Sequence, residues 1–165
     1  MKEKAYQFLE GLGIGYQKFE HPPLFTCEDV IKYGMDRNGL EVKNLFVRNQ
    51  NKSAYYLVVI PSYKRADLRC LQEVLCSSSK FSFASCDDLE KMLGTYAGAV
   101  SLLNVVNVPG SKVTYVIDEC VFKADTVGFH PSDNKETLVF ETKHIGKILD
   151  ECGAQWMKIN IKGRE

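Results

Sequence analysis

Apolar residues recur at Ala5, Phe8, Leu9 and Leu12, the spacing of one helical face, and the glycines of Gly11-Leu12-Gly13-Ile14-Gly15 end that periodicity. The pattern predicts a helix over 1–12 and then a strand over 16–20. His21-Pro22-Pro23 forces an extended bend, after which Thr26 with Asp29 three residues on predicts the N-cap of a helix reaching about Met35. Two β-rich runs, 40–48 and 54–60, flank the polar Asn49-Gln50-Asn51-Lys52 and read as a hairpin. Leu68, Leu71, Val74 and Leu75 share one face of a helix over 66–76, and Ser85 with Asp88 caps another that ends at Gly94. A short strand is expected over 81–84, and 99–108 is expected to pair with 112–118 across Pro109-Gly110. Strands over 127–129, 138–141 and 155–161 and a helix over 142–152 complete the chain. Helices and hairpins mix without strict alternation, which predicts an α+β fold: a single domain over 1–165, with a mixed, mostly antiparallel sheet of about seven strands flanked by helices.

Composition narrows the function classes. The 165 residues carry 21 Lys and Arg against 21 Asp and Glu, so no global field gathers a polyanion, and any RNA contact must be a local patch. No run of about 18 apolar residues exists to span a membrane, and the amphipathic start does not resemble a signal peptide. Six cysteines without a Cys-x-x-Cys pair or zinc-finger spacing are expected to be reduced thiols of a cytoplasmic protein.

Chemistry is sparse on the residues alone. Lys43 sits in the apolar run Leu40, Val42, Leu45, Phe46, Val47, where a charge facing the core would need a partner; alternation can equally point it to solvent. Asn44 adjoins it and, in a regular strand, faces the other way, so the two serve one pocket only if the strand bulges or ends there. Phe129-His130-Pro131-Ser132-Asp133-Asn134 is a cluster of turn formers after a strand, either a functional loop or a turn and no more. There is no Gly-x-Ser-x-Gly elbow, the Gly94 to Ala99 stretch lacks the Lys of a P-loop, and the histidines do not form a metal set. Arg48, Lys52, Lys64, Arg65, Arg69 and Lys80 make the best candidate phosphate patch, with a solvated face as the other reading.

Taken together, His21-Pro22-Pro23-Leu24-Phe25-Thr26-Cys27-Glu28, Lys43-Asn44-Leu45-Phe46-Val47-Arg48, Tyr55-Tyr56-Leu57-Val58-Val59-Ile60-Pro61 and Val127-Gly128-Phe129-His130-Pro131-Ser132-Asp133-Asn134 resemble the YbaK and prolyl-tRNA synthetase-associated editing family. The resemblance is greatest to its freestanding alanyl-tRNA(Pro) deacylase branch. It implies hydrolysis, in the cytoplasm, of the ester joining a wrong amino acid to the 3′-terminal adenosine of tRNA, with no metal or cofactor. The tRNA's terminal ribose hydroxyl would help place the water. It further implies Lys43, Asn44 and His130 as catalytic positions, and His21, Thr26, Phe46, Gly98, Ala99, Val100, Ser101, Gly128, Phe129 and Asp133 around the substrate. Arg48, Lys64, Arg65 and Lys80 would meet the acceptor end of tRNA(Pro). Prolyl-tRNA synthetase is a candidate partner, and neither DNA nor a membrane is expected.

One departure bears on selectivity. The family's substrate loop usually reads Gly-x-x-x-Pro, and here Gly98-Ala99-Val100-Ser101 ends in Leu102. Without proline's fixed φ the loop is expected to be softer and to admit residues slightly larger than alanine. A deacylase for cysteine, serine or 2-aminobutyrate, and a non-catalytic aminoacyl-tRNA or amino-acid sensor, are the competing expectations.

Overall fold

The computed structural model describes residues 2–24, 26–32, 34 and 39–162, so the expected helix limits at Met1 and near Met35 lie outside the described residues. The first half of the chain runs α1 (Lys2–Gly11), β1 (Gln17–Glu20), α2 (Cys27–Lys32), β2 (Val42–Arg48), β3 (Tyr55–Pro61), α3 (Leu68–Val74), β4 (Ser82–Phe83) and α4 (Cys86–Leu93). A 3-10 helix (Leu102–Asn107), β5 (Val113–Asp118), a second 3-10 segment (Glu119–Lys123), β6 (Thr126–Phe129), β7 (Glu136–Glu141), α5 (Ile145–Glu151) and β8 (Gln155–Ile159) follow. The helix starts are set locally. Thr26 and Asp29 exchange side-chain bonds with each other's amides at 3.1 and 3.2 Å, and Ser85 and Asp88 do the same at 3.1 Å each. Gly94 closes α4 at φ 64°, a left-handed conformation that a side chain would strain.

The strands form a five-stranded sheet ordered β4-β2-β3-β5-β8 and a three-stranded one ordered β1-β7-β6. Pairing is antiparallel except for β3 with β5 and β5 with β8. Period-2 alternation covers both faces of the larger sheet. Phe46, Leu57, Val59, Tyr115 and Ile117 face a core shared with α1, α4 and α5, while Val47, Val58, Ile60 and Val116 pack with Leu71 of α3 and Phe81.

The segment 99–108 corrects the sequence reading. It is not a strand paired with 112–118: Leu102–Asn107 is a 3-10 helix, and β5 instead lies between β3 and β8. Ser101 and Asn104 decide this, because the Ser101 hydroxyl accepts from Leu103 N at 3.2 Å and the Asn104 side chain accepts from Ser101 N at 2.7 Å. Such side-chain bonds to the backbone start a helix where apolar content alone suggests a strand.

α1 is tied to the smaller sheet by one carboxylate. Glu136, 3 % exposed, receives the Tyr6 hydroxyl and lies 2.8 Å from Lys2 Nζ and 3.9 Å from Lys18 Nζ. Burial opposes its ionisation, but the bonds from Lys2 and Tyr6 and the charges of Lys2 and Lys18 outweigh burial and hold its pKa below the ordinary 4.5. A carboxyl depressed by folding stabilises fully above its unfolded value and loses that contribution as pH falls through its folded one. Glu136→Gln is therefore expected to lower stability near neutrality by about 1.5 to 3 kcal/mol, the worth of a charge-assisted hydrogen bond. The gap to wild type should close as acidification proceeds below 4.5, and thermal unfolding of both proteins across that range is the measurement.

Candidate functional site

The site arises where two sheets part. Leu40 N donates to Thr126 O at 2.9 Å and Gly128 N to Leu40 O at 3.2 Å, a single parallel bridge between Leu40 and Val127. Past that bridge β2 pairs with β3 and β6 pairs with β7. The gap between them is a cavity of about 390 Å³, walled by Glu41, Val42, Lys43, Asn44 and Leu45 on one side. Leu24, Thr26, Val30, Gly98, Val100 and His130 complete it. A recess of about 80 Å³ adjoins it, shares Leu24, Val30, Glu41, Val42 and His130, and adds Gly39, Leu40, Gly128 and Thr137.

Because β2 begins at Val42, Lys43 and Asn44 reach the same cavity from opposite faces of the strand. The half-buried Lys43 is neither free in solvent nor in the core: its Nζ donates to the Lys64 carbonyl at 2.9 Å. On the other face the Asn44 Oδ1 accepts the Leu102 amide at 3.0 Å. β4 pairs only with Val47 and Arg48, and Ala84 N bonds Phe46 O. By antiparallel alternation, the main-chain groups of Val42 and Asn44 point to the same side as Phe46, away from β3 and beyond the reach of β4.

His130 comes from the turn after β6. Its Nδ1 lies 2.8 Å from the Glu136 carbonyl, which can only accept, so Nδ1 bears the proton and Nε2 the lone pair. Burial lowers the pKa of the ring from 6.5 despite the bond to Glu136, so the neutral form prevails at neutral pH. His21 stands behind it with ring centroids 5.8 Å apart, its nitrogens 2.8 Å from Pro22 O and from Thr137 Oγ1.

The loop after α4 has its shape fixed from below. Ala99 and Ser101 are fully buried, Thr95 Oγ1 donates to Ala99 O at 3.2 Å, and Leu102 is buried with its amide on Asn44. The softness expected from the missing proline is thus opposed by caps and by a hydrogen bond that proline, lacking N–H, could not make.

Of the expected site residues, Lys43, Asn44, His130, Thr26, Gly98 and Val100 line the cavity and Gly128 lines its recess. Phe46 and Phe129 do not: they are 4 % and 1 % exposed and stack on Tyr55 and Phe140. Ala99 and Ser101 shape the loop from the core, and Asp133 accepts from Lys135 N at 2.9 Å in the turn. Leu24, Val30, Glu41, Val42 and Thr137 went unrecognised in the sequence. Leu24 was legible in the His-Pro-Pro segment, whereas the other four look like ordinary core or strand positions.

The basic patch divides. Lys64 is tied up, with Nζ 2.6 Å from Asp118 Oδ2, and Arg48 donates to Asn49 O and Gln50 O at 3.0 and 3.4 Å. Arg65, Arg69 and Lys80 remain exposed, the latter two beside Phe81 in a cleft of about 190 Å³. Among the described residues no group of three or more His, Cys, Asp or Glu could hold a metal ion, and no helix is long and apolar enough to cross a membrane.

Residues 21–148, which include every wall of the cavity, match the model of the aminoacyl-tRNA editing domain. The chain is 34 % identical to the prolyl-tRNA editing protein ProX of Acetoanaerobium sticklandii over 160 residues, 97 % of each chain. It is 27 % identical to prolyl-tRNA synthetase associated domain-containing protein 1 of Mus musculus over 141 residues, 84 % of this chain and 83 % of that one. Among solved structures it superposes on one described as a candidate trans-editing enzyme for prolyl tRNA synthetase, with a TM-score of 0.71 at 19 % identity over 96 % of both chains. With the match spanning most of its length and taking in both walls of the cavity, this chain belongs to the aminoacyl-tRNA editing domain family.

Proposed function

We propose that this protein is a trans-acting deacylase that hydrolyses the aminoacyl ester of mischarged tRNA(Pro), with alanine as its preferred amino acid. The observation that supports this reading most is the pairing, in one small cavity, of the Lys43 ammonium with a neutral His130 whose Nε2 is an acceptor. The relative from Acetoanaerobium sticklandii, named for prolyl-tRNA editing, supports the substrate class.

Water attack on the ester carbonyl puts negative charge on its oxygen. The Lys43 ammonium and the main-chain N–H of Asn44, directed to the open side of β2, are the donors for that charge. His130 Nε2 accepts the proton of the attacking water and returns it to the departing ribose oxygen, leaving the free amino acid and an intact tRNA 3′ end. The recess of about 80 Å³ takes the amino-acid side chain. Its Leu24, Val30 and Val42 walls suit a methyl group, and they select by excluding volume, since a methyl offers little to grip. Arg65, Arg69 and Lys80 supply the phosphate contacts of the acceptor end.

Incubation with alanyl-tRNA(Pro) tests the reading: release of alanine is expected, and a mobility shift without ester loss would make the protein a sensor. Lys43→Ala is expected to lower kcat by two to three orders of magnitude, about 3 to 4 kcal/mol, with the circular dichroism unchanged, because the ammonium acts on charge that develops only in the reaction.

The neutral imidazole is the active form of His130. Folding lowers its pKa, so log kcat/KM should fall on acidification with a midpoint below 6.5. A pH–rate profile checks this, and His130→Ala should remove the acid limb together with most of the rate.

Val30→Ala enlarges the recess, and one or two methyl groups of apolar contact are worth about 1 to 3 kcal/mol of discrimination. The ratio of kcat/KM for seryl- or 2-aminobutyryl-tRNA(Pro) over alanyl-tRNA(Pro) should rise accordingly, and an unchanged ratio would place the side chain elsewhere.

A further inference from the structure

The expectation that Lys64 contacts RNA is at odds with its surroundings. Its side chain is 15 % exposed, and its ammonium lies 2.6 Å from the fully buried carboxylate of Asp118 and 3.0 Å from the Ile161 carbonyl. The other Asp118 oxygen accepts the Cys120 amide at 3.1 Å, so the carboxylate is itself fixed at the end of β5. Burial works against the charge on Lys64, but its bonds to Asp118 and Cys120 prevail and raise its pKa above 10.5. Lys64 therefore stays a cation held by a buried anion, and has little to offer a phosphate.

The main chain of the same residue does something different. The Lys64 carbonyl accepts the Lys43 ammonium at 2.9 Å. This carbonyl lies in the turn leaving β3, where Lys64 N bonds Pro61 O at 3.0 Å and Ser62 N bonds Glu41 O at 3.0 Å, on the wall of the cavity. A lysine stem has four rotatable bonds, so an ammonium is an effective electrostatic donor only if something fixes where it points. One of its three N–H groups is used on the carbonyl, and among the described residues no second acceptor is bonded to it. The carbonyl in turn needs an anchor, since a surface turn is soft by default. The Lys64 side chain, fastened to Asp118, supplies it.

We propose that the buried Lys64–Asp118 ion pair positions Lys43, holding the Lys64 carbonyl where it aims the Lys43 ammonium into the cavity. This rests on the deacylase reading above. Lys64 is a positioning residue and not an RNA contact, and the link runs from β5 and the C-terminal segment at Ile161, through the turn after β3, to the start of β2.

The test removes both charges at once, because deleting one partner would leave the other buried and unpaired. Lys64→Met/Asp118→Asn keeps an oxygen at position 118 for the Cys120 amide, and Lys64→Gln/Asp118→Asn, which keeps an uncharged hydrogen-bonding pair, is the second variant should the first one fold poorly. With alanyl-tRNA(Pro), kcat is expected to fall about 10- to 100-fold, the range for a misplaced catalytic group, while KM and the salt dependence of tRNA binding stay at wild-type values. In a Lys43→Ala background the same changes should have no further effect on kcat, which a role in general stability would not produce. Independently of any activity, acetylation of Lys43 by an amine-reactive ester, followed by peptide mass spectrometry, should speed up several-fold in the variants.

A raised KM with a shallower salt slope would make Lys64 an RNA contact and overturn the proposal. So would additive losses with Lys43→Ala, or unchanged Lys43 reactivity. If the wild-type protein released no amino acid from any aminoacyl-tRNA, the deacylase reading would fall, and the reactivity of Lys43 would still decide whether the ion pair positions it.

Discussion

A sheet cannot keep all its strands paired once two of them are drawn to different partners. β2 and β6 meet at the Leu40–Val127 bridge and then separate, each satisfying its backbone elsewhere. The cavity is the consequence of that divergence, and so is the side of β2, carrying the main chain of Val42 and Asn44, that no strand among the described residues covers. Moving the bridge by one residue would exchange the faces of Lys43 and Asn44 and dismantle the site, because strand register has a period of two.

Two buried carboxylates hold the site from behind, and they use the same device. Glu136 carries the charge network that ties down α1, and its own carbonyl orients the His130 ring. Asp118 holds Lys64, whose carbonyl orients Lys43. In each case the buried carboxylate stays behind the cavity, and a neutral main-chain acceptor does the aiming. The arrangement puts a neutral carbonyl on the Lys43 ammonium, and it leaves Nε2 of His130 with its lone pair.

Selectivity depends on how firmly the walls stay where they are. The Gly98 to Leu102 loop lacks the proline of its family, yet its ends are bonded to Thr95, Asn104 and Asn44 and its Ala99 and Leu102 are buried in the core. Rigidity that a fixed φ would supply locally is here supplied by hydrogen bonds across the fold. On the proposed deacylase reading, the boundary between alanine and larger residues then falls mainly to the side-chain volumes of Leu24, Val30 and Val42.

Much of this was readable from the chain alone, and the physical reason is range. Helix caps at Thr26 and Ser85, the β2–β3 hairpin and the amphipathic helices depend on residues within a few positions of one another, so sequence order determined them. The catalytic candidates Lys43, Asn44 and His130 were legible because short motifs carried a resemblance to a family. Strand partners, however, are chosen by burial over long separations, which is why 99–108 looked like a strand until the Ser101–Asn104 cap and the insertion of β5 between β3 and β8 became visible. For the same reason Phe46 and Phe129 looked like pocket residues and proved to be core. Lys64 looked like a surface cation because its partner, Asp118, lies 54 residues away. The sequence by itself determined which local elements form and which residues could do chemistry. Only the tertiary structure decided which of those residues share a cavity, and which are held behind it, because that depends on where two sheets part.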